Sequence, residues 1–272
     1  MDIKEMAINL EPKLKKYRRE FHQYPEVAWT EFWSSSKITE VLMELGYHVK
    51  LGKQVINEKA VMGSPDLESL LQEKKRAKEY GANPQILEKM DLRPGVLGIL
   101  DTGRPGPTIA FRFEMDALKV TEVMEDKHLP YKEGFASIRS GFMHACGHDG
   151  HVAVGLCLAE LLMDIRKQLK GTIKLIFQPA EEGVRGARAM VEAGLVDDVD
   201  YFFGFHLGFG SEEISLVAKT VGLLATSKLD ITYTGRSSHA GATPEEGKNA
   251  LLGAATAVLN LHAISPHSKG VT

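Results

Sequence analysis

Apolar positions along this chain fall alternately into helical and strand periods. Residues 3–24 repeat them every three to four places and predict an amphipathic helix ending before Pro25. A second helix is predicted over Thr30–Leu45, closed by Gly46, and a short strand over Tyr47–Leu51. From Asn57 to Leu92 the pattern turns charged and helix-prone, with Gly and Pro interruptions. It predicts an exposed helical insertion whose charges form a solvated face. Two strands are then expected, Val96–Leu100 and Thr108–Phe113, parted by the turn-forming Gly103-Arg104-Pro105-Gly106-Pro107. The apolar run Val152–Met163 predicts a helix that Gly150 and His151 open. A strand of buried-type residues follows at Gly171–Gln178, then a helix over Val184–Ala193 stopped by Gly194, then an apolar strand at Tyr201–Gly208. Strands alternating with helices predict an α/β fold. Its central sheet is expected to be mainly parallel and flanked by helices, with loops converging on one edge.

Beyond about Leu223 the pattern changes. Leu229–Thr234 alternates as a half-buried strand does, and the loop Gly235–Pro244 leads into an Ala- and Leu-rich helix, Glu245–His262. The chain is therefore expected to hold a main domain at 1–222, with the insertion at about 57–92, and the start of a smaller α+β domain at 223–272. One strand, one loop and one helix are too few to bury Leu251, Leu252, Val258 and Leu261, so the smaller domain reads as truncated.

Composition narrows the possibilities. A chain of 272 residues, 43% hydrophobic and 25% charged, matches a globular protein with a sizeable core. A net charge of −3 with no basic, aromatic-interleaved stripe argues against nucleic acid as a partner. No uncharged run reaches membrane-spanning length and the start lacks an apolar signal core, so no membrane association is expected. Of the two cysteines, Cys157 lies in the apolar helix and Cys146 in a polar cluster, a reduced, cytoplasmic style of usage.

The densest chemistry lies at Met143–His151, which gathers one thiol, three imidazoles and a carboxylate within nine residues. Sulfur, nitrogen and oxygen donors crowded at a loop-to-helix junction suit a divalent cation. Three strands carry further metal-capable groups at their ends. Glu114 and Asp116 follow Thr108–Phe113, Glu181 and Glu182 follow Gly171–Gln178, and His206 closes Tyr201–Gly208. Glu181 and Glu182 would repel each other in a dry site unless a cation or a proton compensates. With metal present, one can ligate while the other handles protons.

Four segments share a further property: Arg19–Glu26, Met143–His151, Phe177–Gly183 and Ser238–Gly241. Together they resemble the dinuclear-metal amidohydrolases of the aminoacylase/carboxypeptidase superfamily, and the likeness runs nearly the whole chain. The resemblance makes 1–222 a metal-dependent catalytic domain and 223–272 part of a lid and dimerisation domain. It implies that Cys146, in the bridging position, His148, Glu182 and His206 hold two divalent ions, zinc or manganese. Glu181 becomes the general base, and Asp116 orients a ligand. His239, on the lid, donates to the scissile carbonyl oxygen, close to a neighbouring subunit's metals. Glu114 stands where relatives commonly have aspartate.

The implied substrate is an N-acyl or N-aroyl amino acid with a free carboxylate. By the nearest likeness within the superfamily it is p-aminobenzoyl-glutamate, cleaved to p-aminobenzoate and glutamate. The implied assembly is a homodimer or a complex with a companion subunit of a different kind. Two other readings of the same residues stay open at this point. In one, Cys146 is a nucleophile activated by His148 or His144, which leaves Glu181, Glu182 and His206 without a role. In the other, the chain is an inactive truncated form or a metal-binding scaffold within a complex. Four ligands with one bridging fall short of two full coordination shells, as that second reading requires.

Overall fold

The structure, a computed structural model, describes residues 2–208 and 229–264. The chain divides into two compact units, Met1–Glu213 and Ile214–Thr272. The boundary expected at 222–223 lies outside the described residues.

The single helix expected over 3–24 is two helices, α1 (Ile3–Asn9) and α2 (Glu11–Gln23). Pro12 sits in the first turn of α2. A helix running through it would lose a hydrogen bond to Ile8 and press the proline ring on that carbonyl, so the chain breaks at Leu10. Helix α3 (Phe32–Glu44) starts on a buried anion. The Glu26 carboxylate accepts the backbone N–H groups of Trp33 (3.0 Å) and Ser34 (2.8 Å), two donors that helix geometry leaves without partners.

Strand β1 (His48–Leu51) precedes the insertion, which forms α4 (Leu67–Glu79) and α5 (Pro84–Met90). It is less exposed than its charge pattern suggests. Leu70, Ala77, Ile86, Leu87 and Met90 are buried in the main core, and Arg76 approaches the buried Glu26 carboxylate at 3.4 Å. The charges cover one helical face, while apolar residues seven apart, Leu70 and Ala77, make the other.

The sheet comprises β1, β2 (Val96–Asp101), β3 (Thr108–Glu114), β4 (Thr172–Gln178) and β5 (Tyr201–Gly204), in the order β1-β2-β4-β3-β5. β3 pairs parallel with both β4 and β5, whereas β2 pairs antiparallel with both β1 and β4. Strands β1, β3, β4 and β5 therefore run one way and β2 runs against them. The fold is α/β as expected, with a mixed sheet. The link from Thr102 to Pro107 explains the reversal, because a parallel return needs a crossover of about a dozen residues or more.

The short α6 (Leu129–Lys132) lies in the long connection after β3, and α8 (Gly186–Val191) follows β4. The central helix α7 (His148–Asp164) packs on β3 and β4. Gly155 allows the close approach: a Cβ there would lie 2.8 Å from the Phe177 ring and 2.9 Å from the Phe113 ring. Gly155→Ala gains about 1 kcal/mol of helix propensity. It also overpacks two rings fixed in the sheet, which costs about 1–3 kcal/mol. We expect the clash to prevail and the melting temperature to fall by about 2–8 °C. A rise in Tm would show that the rings yield freely.

Because β3, β4 and β5 point the same way, their carboxyl ends share one edge. Glu114 faces Gln178 in register there.

In the second unit, residues 229–234 form no strand. The alternation is present, but the described residues supply no ladder partner, and a lone strand gains no hydrogen bonds. Arg236 and Lys248 form an antiparallel bridge. The helix expected from Glu245 begins at Ala250 instead, as α9 (Ala250–His262). Pro244–Glu246 form one 3₁₀ turn, Gly247 is extended, and the Asn249 side chain caps α9 by accepting the Leu251 N–H at 3.0 Å. Among the described residues no helix is long and apolar enough to cross a membrane.

Candidate metal centre at the carboxyl edge of the sheet

Gly147 has φ +83°, a left-handed conformation that glycine adopts without strain, and α7 starts at the next residue. That turn brings Cys146 and His148 to the carboxyl edge of the sheet. The Glu-Glu segment arrives from the end of β4 on a tight turn in which Ala180 also has positive φ, +51°. Two buried carboxylates hold this turn. Glu31 accepts the Ala180 N–H at 2.7 Å, and Asp116 accepts those of Glu181 (3.0 Å) and Glu182 (2.9 Å). Three consecutive amides are thus tied down, which keeps a strained backbone in place.

The imidazoles have assigned protons. The Asp116 carbonyl is 2.8 Å from His148 Nδ1, and a carbonyl only accepts, so Nδ1 carries the hydrogen. His148 Nε2, the other ring nitrogen, is buried without a hydrogen-bond partner and lies 3.8 Å from Glu181 Oε2. His206 follows the same rule. Its Nδ1 donates to the Leu207 carbonyl at 2.7 Å, and its Nε2 lies 3.4 Å from Cys146 Sγ.

Two overlapping ligand groups result, each with atoms within 4.8 Å of one another: Cys146, His148 and His206, and His148, Glu181 and Glu182. His148 belongs to both. The charges favour a cation between them. Burial, helped by the Glu182, Glu181 and Glu114 carboxylates, pushes the Cys146 thiol up to about 12. Burial and then the Asp116 and Glu181 charges raise Glu182 above the usual carboxylate range. Burial opposes charge on His148, yet its hydrogen bond to Asp116 and the surrounding carboxylates outweigh that and raise its pKa. The buried Glu182 Oε1 also lacks a hydrogen-bond partner. A thiol, two imidazole lone pairs and adjacent carboxylates form a donor set that fits zinc or manganese.

Asp116 reaches His148 through its backbone carbonyl, with its carboxylate Oδ1 at 3.4 Å, and spends that carboxylate mainly on the Glu181–Glu182 backbone. His239 belongs to the second unit. Its Nδ1 accepts the N–H groups of Gly241 (3.2 Å) and Ala242 (2.9 Å), which leaves Nε2–H as its donor.

Sequence reasoning missed a second buried cluster. His22 lies between Asp149 (Nδ1 to Oδ2, 2.7 Å) and Glu122 (Nε2 to Oε1, 2.9 Å). Burial works against its charge, but the two carboxylates win and raise its pKa. His22 sits in the Arg19–Glu26 segment, so the signal was present; its partners, a hundred residues or more away, were not legible. Glu31 also went unremarked. His144, another imidazole of the motif, is buried and drawn down to about 4 by desolvation, hence neutral.

Residues 110–271 match peptidase family M20/M25/M40. The chain is 50% identical over 271 residues to a subunit of the p-aminobenzoyl-glutamate hydrolase of Escherichia coli strain K12, covering 99% of this chain and 62% of that protein. It is 48% identical over 271 residues to indole-3-acetyl-aspartic acid hydrolase of Enterobacter agglomerans, with the same two coverages of 99% and 62%. Among solved structures it is similar to an aminobenzoyl-glutamate utilization protein from Klebsiella pneumoniae. That match has a TM-score of 0.76 and 41% identity, over 100% of this chain and 62% of the other. The chain thus spans 62% of the length of each of these relatives.

Proposed function

The chain belongs to peptidase family M20/M25/M40, and on that premise we propose that it is a metal-dependent amidohydrolase that cleaves an N-acyl or N-aroyl amino acid, p-aminobenzoyl-glutamate first among them. One observation carries the reading: Cys146, His148, Glu181, Glu182 and His206, drawn from three separate segments of the chain, form two overlapping ligand groups at one sheet edge. The nucleophile reading of Cys146 loses ground, because a thiol pushed up to about 12 is protonated at neutral pH and only a thiolate attacks.

In this mechanism Cys146, His148, Glu182 and His206 hold two divalent ions, zinc or manganese. The chemistry such ions would supply there is Lewis acidity toward a water and the scissile carbonyl. Glu181 takes the proton of the attacking water on its carboxylate and returns it to the leaving nitrogen. Asp116 fixes the backbone of Glu181 and Glu182 and thereby the proton acceptor. His239, with its hydrogen on Nε2, would donate to the carbonyl oxygen at a neighbouring subunit's metals as negative charge develops there. Such donors commonly contribute about 3–4 kcal/mol.

Residues 1–222 carry catalysis in this reading and 223–272 belong to the lid and dimerisation domain. A companion subunit of a different kind or a second copy of this chain completes the assembly. That the Escherichia coli relative is named as one subunit of its hydrolase supports the first of these. Two unpaired cysteines support a cytoplasmic setting.

The decisive assay follows release of p-aminobenzoate from p-aminobenzoyl-glutamate with and without chelator, with indole-3-acetyl-aspartate in parallel. Chelator-sensitive hydrolysis is expected, faster for the first substrate. Hydrolysis that resists chelator but yields to a thiol reagent would replace this mechanism with a nucleophilic cysteine. No hydrolysis of either substrate by the metal-loaded chain would favour the scaffold reading.

A further inference from the structure

We propose that His151, which the mechanism above leaves unused, is a positioning residue that fixes His206 by holding the backbone of Leu207. The Leu207 N–H donates to His151 Nε2 at 3.0 Å. That nitrogen must therefore bear a lone pair, so the proton of the neutral ring is on Nδ1, where it is donated to Glu114 Oε2 at 2.9 Å. His151 thus differs from its neighbours in the motif. His148 and His206 turn Nε2 toward the ligand cluster, whereas His151 commits both nitrogens and has none left for a cation.

The chain of contacts continues into the sheet. Glu114 is paired with Arg112, and Arg112 Nε donates to Gln178 Oε1 at 2.7 Å. Burial opposes charge on Glu114, but His151 and Arg112 overcome it and bring its pKa down to about 2, so the acceptor stays ionised. Burial also lowers the pKa of His151, which favours the neutral ring.

This anchoring answers a mechanical need. The β3–β5 ladder ends at Gly204, two residues before His206. From there sheet hydrogen bonding no longer sets the backbone. Leu207 is gripped at its amide by His151 and in turn accepts from His206 Nδ1 through its carbonyl. The rigidity of β3 thus reaches a residue that the sheet itself does not hold.

The inference rests on the reading of His206 as a ligand, and the test separates the two. Cobalt(II) serves as the probe on the full chain, with ¹⁵N NMR of the imidazoles in the metal-free protein. The wild type should show His151 with its proton on Nδ1. His151→Ala should weaken cobalt binding about 10–100-fold, the usual effect of removing an outer partner. The Cys146-to-cobalt charge-transfer band should persist. His151→Gln, whose amide oxygen can accept the Leu207 N–H, should recover most of the affinity, which a mere packing role would not predict. Glu114→Ala takes away the acceptor of the Nδ1 proton and should shift the His151 ring and Leu207 amide resonances. Unchanged cobalt affinity in His151→Ala, where His206→Ala does lose affinity, overturns the proposal, as does a wild-type His151 protonated on Nε2. Wild-type cobalt binding by His206→Ala removes the ligand assignment instead, and with it any effect of His151 on metal.

Discussion

Glu181→Gln should lower kcat by about 10²–10⁴-fold while metal content stays at the wild-type level. The size of the effect follows from what the substitution removes. Glutamine is nearly isosteric with glutamate, and the groups that position this residue act on its backbone. Asp116 accepts the Glu181 N–H at 3.0 Å and the Glu182 N–H at 2.9 Å, and neither bond involves the Glu181 side chain. His148 Nε2, 3.8 Å from Glu181 Oε2, also keeps its orientation, because its ring is fixed through Nδ1 by the Asp116 carbonyl. Only the capacity to take and return a proton is lost. KM should change little, since the amide still fills the same volume. The check is kcat and KM on a preparation that hydrolyses p-aminobenzoyl-glutamate, with elemental analysis of the same sample. A variant keeping more than half its turnover would mean that another group moves the proton. A variant that loses its metal would make Glu181 a ligand.

The residues at the strand ends were legible because two independent patterns met there. Short apolar runs of buried type located β3, β4 and β5, and the polar residues just beyond them, Asp116, Glu181, Glu182 and His206, had no packing reason to cluster. Direction was harder to read. The antiparallel course of β2 depends on the short Thr102–Pro107 link, and periodicity carries no sign. The break at Leu10 was in principle readable from Pro12, but the apolar spacing on either side continues smoothly and hid it. In the insertion, charge masked the inner stripe of Leu70 and Ala77. Alternation alone predicted a strand at 229–234, yet a strand exists only with a partner, which a local pattern cannot specify.

The positioning contacts were the least legible part. Glu31 reaches Ala180 across 149 positions, and His22 reaches Asp149 across 127. Buried carboxylates and imidazoles of this kind look, in sequence, like ordinary polar residues of a helix or loop. From sequence His151 reads only as opening the helix, and its place three residues after His148 fits a further ligand as readily as a support. Only the Leu207 N–H at 3.0 Å decides between them, because a nitrogen that accepts a backbone hydrogen cannot also hold a cation.

Among the ligand substitutions, His148→Ala should cost the most metal. His148→Ala removes a donor common to both ligand groups and puts nothing in its place, whereas Cys146→Ser leaves a hard oxygen donor in place. Elemental analysis after dialysis should show His148→Ala nearly empty. Cys146→Ser should be strongly depleted in zinc and less so in manganese, because a thiolate favours zinc far more than a hydroxyl does. The wild-type chain should also show a pH dependence with a definite sign. The Cys146 thiol, pushed up to about 12, is protonated at neutral pH, and it binds metal as thiolate. Cation uptake therefore releases that proton, and apparent affinity should rise about tenfold per pH unit for each proton displaced, by mass action below the thiol's pKa. Competition titrations with a chelator of known affinity, run across neutral pH, measure the slope directly. A flat profile in the wild type would remove Cys146 from the ligand set, and full metal content in both variants would remove Cys146 and His148. A slope that flattens in Cys146→Ser, with His148→Ala depleted at every pH, is the outcome that this arrangement of donors requires.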